Sequence, residues 1–295
     1  MMKLKSLFAY FIAFSLAAFM FSACEKDDDD DDNQDNTQIT NEQALQVISD
    51  YATAQNMFAE ATDEADNAAR VSDDSLENNN GSKAVKDGTY PEISITPFDL
   101  DTWPKTIRVD YGPTNMLCED GRNRRGMINI VATDFYRNSG SELTTTFEDF
   151  YQNDYKVEGN HICTNNGENT AGNLTYSLIV NDGHITTPES KHIYYEESTE
   201  REWIAGEGTL LNPWDDNYLI TGDQSGVSSD SIDYQLNVHV ADPLDVLVGC
   251  KWVRAGLLDL DIEDFPTITI YYGDGNCDNQ ATATIYDVEY PIVME

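Results

Sequence analysis

The stretch Leu174-Thr175-Tyr176-Ser177-Leu178-Ile179-Val180 indicates the fold class of this 295-residue chain. Its side chains alternate between apolar and polar up to Leu178, with the period of two that a β-strand with one buried face requires. Short strands that recur in this way are typical of an all-β architecture. The same pattern is found at residues 93–95, 107–111, 127–131, 234–238, 268–272 and 282–286.

Turn signals separate these segments. Asn166-Gly167, Asp182-Gly183 and Asp274-Gly275 are dipeptides that favour the tight turns of β-hairpins. Hairpins join neighbouring strands in antiparallel pairs. The sequence therefore predicts, for residues 91–295, a mainly β domain folded as an antiparallel sandwich, roll or barrel of about 12 strands.

A helical pattern precedes the strands. Thr40-Asn41-Glu42-Gln43 fits a capping box, in which the Thr40 hydroxyl and the Gln43 amide bind the first unpaired backbone N–H groups. Apolar side chains then recur every three or four positions, which predicts one N-terminal helix from Asn41 to Ala69 within a helical segment at 40–70. The helix could pack on its own β domain, form a short helical hairpin, or join a partner in a coiled coil. Its apolar positions are Ala44, Val47, Tyr51, Ala54, Phe58, Ala61, Ala65 and Ala68.

Residues 71–90 are rich in Ser, Asp, Asn, Gly and Lys. A composition of this kind has few apolar side chains to bury, and Asn78-Asn79-Asn80-Gly81-Ser82 is typical of a loop. We therefore predict a flexible linker over 71–90, between the helical segment and the β domain.

The first residues have the order of a secretory signal. Lys3 and Lys5 come first, an apolar stretch runs from Leu7 to Phe21, and Ser22-Ala23 precede Cys24. A cysteine after two small residues resembles the lipobox of bacterial lipoproteins, in which the new N-terminal cysteine carries an acyl chain such as palmitate. The resemblance implies a signal peptide at 1–23 and lipidation of Cys24. The alternative is an uncleaved membrane anchor.

An acidic run follows at once, from Glu25 to Asp32. It resembles the short charged signal that directs lipoproteins of Bacteroidota to the cell exterior. Residues 24–39 are mostly Asp, Asn, Gln and Thr, which predicts an extended acidic tether. The expected location is the outer membrane, with the lipid anchor as the membrane contact and the protein facing the cell exterior.

The charge of the chain excludes some partners. It has 54 Asp and Glu against 17 Lys and Arg, a formal net charge of −37. Nucleic acid is recognised largely through Lys and Arg contacts to phosphate, so no nucleic-acid partner is expected. Adsorption to anionic lipid is disfavoured for the same reason, whereas cations are attracted.

Four cysteines remain if Cys24 carries lipid. In an exported chain Cys118, Cys163, Cys250 and Cys277 could form disulfides, with three pairings for two bonds. The alternative is buried thiols. The sequence leaves both open, and the wide spacing of the four disfavours a zinc site.

One cofactor candidate is a Ca²⁺ ion. Asp274, Asn276 and Asp278 alternate in a D-x-N-x-D arrangement that could place three oxygen ligands on one side of a turn. The alternative is an ordinary hairpin turn, in which Asp, Gly and Asn are favoured for their backbone conformations. The sequence indicates no other cofactor.

Aromatic residues could form a glycan-binding surface. Trp214 lies beside Asp215 and Asp216, and Trp203, Tyr194 and Tyr195 are the other candidates. Sugars pack on aromatic faces and hydrogen-bond to polar side chains. The alternative places these rings in the core, where Trp and Tyr of strands commonly lie.

Two polar groups complete the candidate chemistry. The segment 120–126 carries Arg122, Arg124 and Arg125, which could bind a carboxylate or phosphate, or could pair with nearby acids. His184 and His192 lie on either side of a predicted turn and could approach each other. No H-E-x-x-H or G-x-S-x-G motif is present, so we predict no catalytic residue and do not favour an enzyme.

Several stretches resemble a family of uncharacterised surface lipoproteins of Bacteroidota. The resemblance covers about residues 100–295 and implies an all-β fold at the cell surface, without a known activity. The expected function is that of a lipid-anchored, non-enzymatic module that binds an extracellular partner or supports the envelope. A glycan-binding or glycan-processing protein and a structural subunit of a surface assembly are the alternatives. The stretches are 110–112, 120–122, 125–126, 155–159, 201–204, 220–222, 225–226, 249–252 and 273–278.

Overall fold

A computed structural model describes residues 39–78 and 91–294 and has one long helix followed by fifteen strands. The predicted mainly β fold with an N-terminal helix is confirmed, with more strands than expected. The helix α1 is Asn41–Glu77, and the strands are β1 (Glu92–Thr96), β2 (Lys105–Asp110), β3 (Met116–Leu117), β4 (Asn123–Ala132), β5 (Glu142–Gln152), β6 (Tyr155–Glu168), β7 (Leu174–Thr186), β8 (His192–Ala205), β9 (Asn217–Val227), β10 (Asp233–Val238), β11 (Leu244–Leu247), β12 (Ala255–Ile262), β13 (Ile268–Asp274), β14 (Gln280–Ile285) and β15 (Val288–Val293).

Helix α1 begins at the predicted capping box. The Thr40 hydroxyl accepts a hydrogen bond from the Gln43 backbone N–H at 3.2 Å, and the Gln43 side chain accepts one from the Thr40 N–H at 3.0 Å. The helix ends at Glu77, so the predicted end near residue 70 is wrong, as is a linker that starts at 71. The last two turns are helical because Ser72, Ser75 and Leu76 are buried.

Several predictions lie outside the described residues. These are the signal peptide at 1–23, lipidation of Cys24, the tether up to residue 38, and the part of the linker at 79–90. The described residues belong to one compact unit, Gln38–Glu295, so the helical and β segments are parts of the same unit.

The fifteen strands form one antiparallel sheet. The order is β1-β2-β4-β5-β6-β7-β8-β9-β10-β12-β13-β14-β15, so most strands pair with their neighbours in sequence, while β3 pairs with β4, and β11 with β9 and β12. Hairpins make this order the natural outcome for short strands joined by short polar connections.

Two predicted turns lie inside long strands. Asn166-Gly167 belongs to β6 and Asp182-Gly183 to β7, and the register with the neighbouring strand shifts at both places. Gly167 has a φ of +84° and Asp182 a φ of +54°. Asn, Asp and Gly adopt this left-handed backbone easily, and β-bulges need it as hairpin turns do. Both dipeptides indicate a left-handed backbone, but that conformation occurs in bulges as well as in hairpin turns.

The sheet curls around α1. Helix residues hydrogen-bond to Tyr111 just after β2, to Arg201 on β8 and to Tyr290 on β15, so strands from both ends and the middle of the sheet reach the same helix. Four alanines of the helical stripe, Ala44, Ala54, Ala65 and Ala68, are buried in one continuous core with the inward residues of the strands. Small side chains let the strands approach closely, which explains why a helix so rich in alanine is central to the fold.

Two buried ion pairs fix α1 within the sheet. Arg70 binds Asp216 at 2.6 Å, and Asp66 binds Arg201. All four side chains are at most 3% exposed. The Arg201 guanidinium also donates to the Tyr136 hydroxyl at 3.0 Å and lies 4.6 Å from the centre of the Tyr218 ring. We call Asp66, Arg70, Arg201 and Asp216 the interior cluster. The cluster pairs charged side chains of the helix with Arg201 on β8 and with Asp216 just before β9. These pairs set the position of the helix along the sheet.

Candidate functional site

A groove runs along the side of α1 that the sheet leaves open. Asn56, Ala59, Glu60, Asp63 and Asn67 line its floor. Their spacing of three or four residues places them on one stripe of the helix. This stripe is polar, whereas the buried stripes carry the apolar residues that the sheet covers.

Arginines form one wall of the groove. Arg122 lies just before β4 and Arg124 is its second residue, and both side chains line the groove. Arg124 donates to Asp120 at 2.6 Å and lies 3.3 Å from a Glu64 oxygen, while Arg122 pairs with Glu60. We call Glu60, Glu64, Arg122 and Arg124 the groove cluster.

The groove cluster decides between the two interpretations of the basic segment. Its arginines pair with acids, both with Asp120 of the same segment and with Glu60 and Glu64 of α1, and these contacts are largely buried rather than those of a solvated loop. Arg125 takes no part. It binds Asp154 and Asn115, each at 2.6 Å, and its guanidinium lies 3.7 Å from the centre of the Tyr151 ring.

Asp63 is the carboxyl group of the groove whose ionisation is most changed. Burial raises its pKa to about 7, with Asp66 and Glu64 adding repulsion, although Arg201 and Arg70 act in the opposite direction. Within the described part of the chain, its carboxylate has no hydrogen-bond partner. A carboxyl with such a pKa is partly protonated at neutral pH, so it can give or accept a proton there.

Tryptophans form another part of the groove lining. Trp214 lies in a short 3-10 turn at Pro213–Asp215 and is 42% exposed. Trp252 is half-buried, and its indole N–H has no hydrogen-bond partner among residues 39–78 and 91–294. Gly249 holds this wall together, because a β-carbon there would lie 2.4 Å from the Trp214 carbonyl oxygen.

A disulfide joins Cys250 of this wall to Cys277, with a Cα–Cα distance of 5.8 Å. Of the other candidates, Cys118 is a half-buried thiol and Cys163 a buried one. Burial raises the pKa of Cys163 to about 12, and a buried neutral thiol is unreactive.

The predicted aromatic surface is wrong as a single platform. Trp203 and Tyr195 are buried core residues, at 1% and 0% exposed. Tyr194 is exposed, since adjacent strand residues face opposite sides of a sheet, but it stacks on His184 outside the groove. Of the four candidates, the groove contains Trp214.

The calcium candidates serve the turn that follows β13. The Asp274 carboxylate accepts a hydrogen bond from the Tyr271 hydroxyl, and Asp278 accepts one from the Gln280 backbone N–H at 3.0 Å. In the described ranges, no group of three or more His, Cys, Asp or Glu side chains is arranged to hold a metal. A Ca²⁺ site at Asp274, Asn276 and Asp278 stays a prediction.

Sequence reasoning missed Asp63, Glu60, Glu64 and Trp252. The three acids belong to an acidic helix whose polar positions look solvated, and Trp252 lies in the stretch 249–252, which indicates a resemblance but no chemistry. The signal that could have found them is the polar stripe at Asn56, Glu60, Asp63 and Asn67, a side of the helix that carries no apolar residue larger than Ala59.

Comparisons with known proteins add no relative. No protein-family model matches the chain, no curated protein matches it, and no solved structure matches it. The resemblance to surface lipoproteins therefore stays a prediction. Across residues 39–78 and 91–294, no helix has both the length and the apolar character needed to cross a membrane.

Proposed function

We propose that this chain is a lipid-anchored surface protein that binds an extracellular glycan in the groove along α1. The observation that carries the proposal is that the exposed Trp214 lines the same groove as the amides and carboxylates of α1. Sugar rings offer C–H faces that pack on an indole, and hydroxyl groups that pair with Asn, Asp and Glu side chains.

The shape of the groove favours binding along its length. Its cavity volume is about 140 Å³, below the roughly 300–1,000 Å³ of sites that enclose a small molecule. A ligand would lie across the groove, with one or two sugar units between Trp214 and the groove cluster. The unpaired Trp252 N–H is a donor that a sugar hydroxyl could satisfy.

The location rests on the N-terminal sequence. The apolar leader, the small residues before Cys24 and the acidic run after it support processing and acylation at Cys24. Mass spectrometry of the N-terminal peptide from the native host tests this. We expect an acylated Cys24, and Cys24→Ser should abolish lipid attachment. Recovery of an intact, unacylated chain from the cytosol would contradict the proposal.

Glycan binding can be tested on an array with the purified full-length chain. We expect binding to one class of polysaccharide and a loss of at least tenfold in affinity for Trp214→Ala, about 1.4 kcal/mol. Tyr194→Ala is the matched control, because Tyr194 is an exposed aromatic outside the groove. Its affinity should be unchanged. Absence of binding to any polysaccharide, or equal affinities for the two variants, would exclude this site.

Asp63 favours glycan processing as a second candidate. Its raised pKa is that expected of a general acid, and Glu60, Glu64 and Asp120 lie in the same groove as charged partners. The test is release of reducing ends from the polysaccharide that binds best. For an enzyme, Asp63→Asn should abolish release while binding persists. If the unmodified chain releases no sugar, the groove only binds.

A further inference from the structure

Two histidine rings meet at the surface of the β7–β8 hairpin. His184 on β7 pairs in register with Tyr194, and His192 on β8 pairs with Thr186, so the two histidines are diagonal neighbours. The Nε2 atom of His184 lies 2.9 Å from the Nδ1 atom of His192. The His184 side chain is 25% exposed and His192 is exposed. The pair lies apart from the groove along α1.

The surroundings hold His184 in one orientation. Tyr194 stacks on its ring at 4.9 Å between ring centres, with an interplanar angle of 10°. Glu158 on β6 pairs in register with His184, and its Oε2 lies 3.3 Å from the His184 Nδ1 atom. Glu158 is itself bound to the Lys156 ammonium group at 2.8 Å. A carboxylate on Nδ1 favours a proton there, which leaves the Nε2 lone pair directed at His192.

We propose that His184 and His192 bind one divalent transition-metal ion, of the Cu²⁺ and Zn²⁺ class, between Nε2 of His184 and Nδ1 of His192. Two nitrogens at about 2.0–2.1 Å from one ion, at an angle of about 90°, lie about 2.9 Å apart. The metal replaces the hydrogen bond between the two rings: His192 binds it through Nδ1 in the tautomer that carries the ring proton on Nε2, after a small rotation of both side chains.

The chemistry of the pair agrees with that class of ion. Imidazole is a preferred ligand of copper, zinc and nickel, and affinity rises to a maximum at Cu²⁺. A ligating histidine commonly donates its other ring N–H to a carboxylate, which is the position of Glu158. The strongly negative net charge of the chain attracts cations. Two protein ligands leave the remaining coordination positions to water.

The test is a titration of the full-length chain with Cu²⁺, followed by calorimetry and electron paramagnetic resonance. We expect one site whose spectrum carries the coupling of two imidazole nitrogens. His184→Ala and His192→Ala should each lower the affinity at least tenfold and remove one nitrogen coupling. Glu158→Gln should weaken binding several-fold, because a glutamine amide holds the His184 ring less firmly than the carboxylate does.

His239→Ala is the matched control. His239 is a partly exposed histidine on a different part of the sheet, where its Nε2 lies 2.8 Å from an Asp259 oxygen. Its loss should leave both the affinity and the spectrum unchanged. The acidic run at 27–32 is present in every variant and gives oxygen ligands, so it cannot produce the nitrogen coupling. Wild-type affinity in His184→Ala and His192→Ala, or a wild-type spectrum without imidazole nitrogens, would overturn the proposal.

Discussion

The interior cluster and the groove cluster are made of the same kinds of charged side chain, and α1 contributes to both. In each, two carboxylates pair with two arginines, and two of the four side chains belong to α1. These are Asp66 and Arg70 in the interior cluster, and Glu60 and Glu64 in the groove cluster. The interior side chains are at most 3% exposed, whereas Glu60 and Glu64 of the groove cluster are 13% and 26% exposed. Access to water is the main difference between them.

That difference separates a structural role from a binding role. A buried charge must be paired, because losing the partner leaves it without either water or a counter-charge. The interior cluster therefore depends on all of its members. In the groove cluster Arg124 is also buried, at 1% exposed, but Glu60, Glu64 and Arg122 reach water and can exchange a protein contact for water or for a ligand, which is what a binding site requires.

The largest effect is expected when Arg201 of the interior cluster is removed. Arg201→Ala leaves Asp66 charged and buried, and such a loss costs about 3–5 kcal/mol. We expect the free energy of unfolding to fall by that amount in a urea titration. The reason is the unpaired Asp66 carboxylate, not the lost volume alone.

A double variant separates those two causes. In Asp66→Leu with Arg201→Met, no charge remains unpaired, and apolar replacements of buried ion pairs are often tolerated. The double variant should be more stable than Arg201→Ala. A loss of less than about 1 kcal/mol in Arg201→Ala would show that the interior cluster does not hold the helix.

Unlike the interior cluster, the groove is also held by a disulfide bond. The Cys250–Cys277 disulfide closes a segment of 27 residues and fixes the Trp252 wall. Replacing both cysteines with serine should lower the free energy of unfolding by about 3 kcal/mol, mainly through the greater freedom of the unfolded chain. Thermal unfolding with and without a reductant measures it. A non-reducing peptide map should contain the Cys250–Cys277 pair, and an unchanged melting temperature would contradict the assignment.

Local patterns in the sequence account for the elements of the fold. The alternation at residues 174–180 and the capping box at Thr40 and Gln43 predict β7 and the start of α1 because they depend on neighbouring residues only. The end of α1 could not be predicted in this way. Polar residues such as Ser72 and Ser75 are helical because the sheet buries them, which is a tertiary effect.

The site is less predictable than the fold for the same reason. Trp214 was a candidate from composition, but its partner Trp252 and the stripe at Asp63 come together only when the sheet curls around α1. Tyr194 and Tyr195 illustrate the limit of single-residue reasoning. Alternation indicates that one of them is buried, while only the structure assigns Tyr195 to the core.

Asp63 interacts with charged groups of both clusters, so its ionisation makes the stability of the fold depend on pH. Its pKa is about 7 in the folded chain against 3.8 for an ordinary Asp, so the folded state binds more protons between these values. The stability that Asp63 contributes should therefore be lost as pH rises from about 4 through 7. Asp63→Asn cannot ionise and should be more stable than wild type at pH 8, on the order of 2 kcal/mol, with little difference at pH 3.5.

The difference between the free energies of unfolding of wild type and Asp63→Asn, followed against pH, reports the ionisation of Asp63 alone. Burial lowers the pKa of His161 to about 4, which destabilises the folded state as pH falls below about 6.5. Both proteins carry that contribution, so it cancels when wild type and Asp63→Asn are compared by denaturation at each pH. Parallel curves from pH 4 to 8 would mean that Asp63 ionises normally.

The smallest effect is expected in the groove cluster itself. Arg122→Gln removes the partner of Glu60, but Glu60 keeps its hydrogen bond from the Gln152 amide and its access to water. The free energy of unfolding should fall by about 1 kcal/mol or less. Glycan affinity should change more than stability does, because the amide replaces a charged donor at the wall of the groove. A loss of stability as large as that of Arg201→Ala would place the groove cluster with the interior cluster as part of the structural core, and the distinction by access to water would not hold.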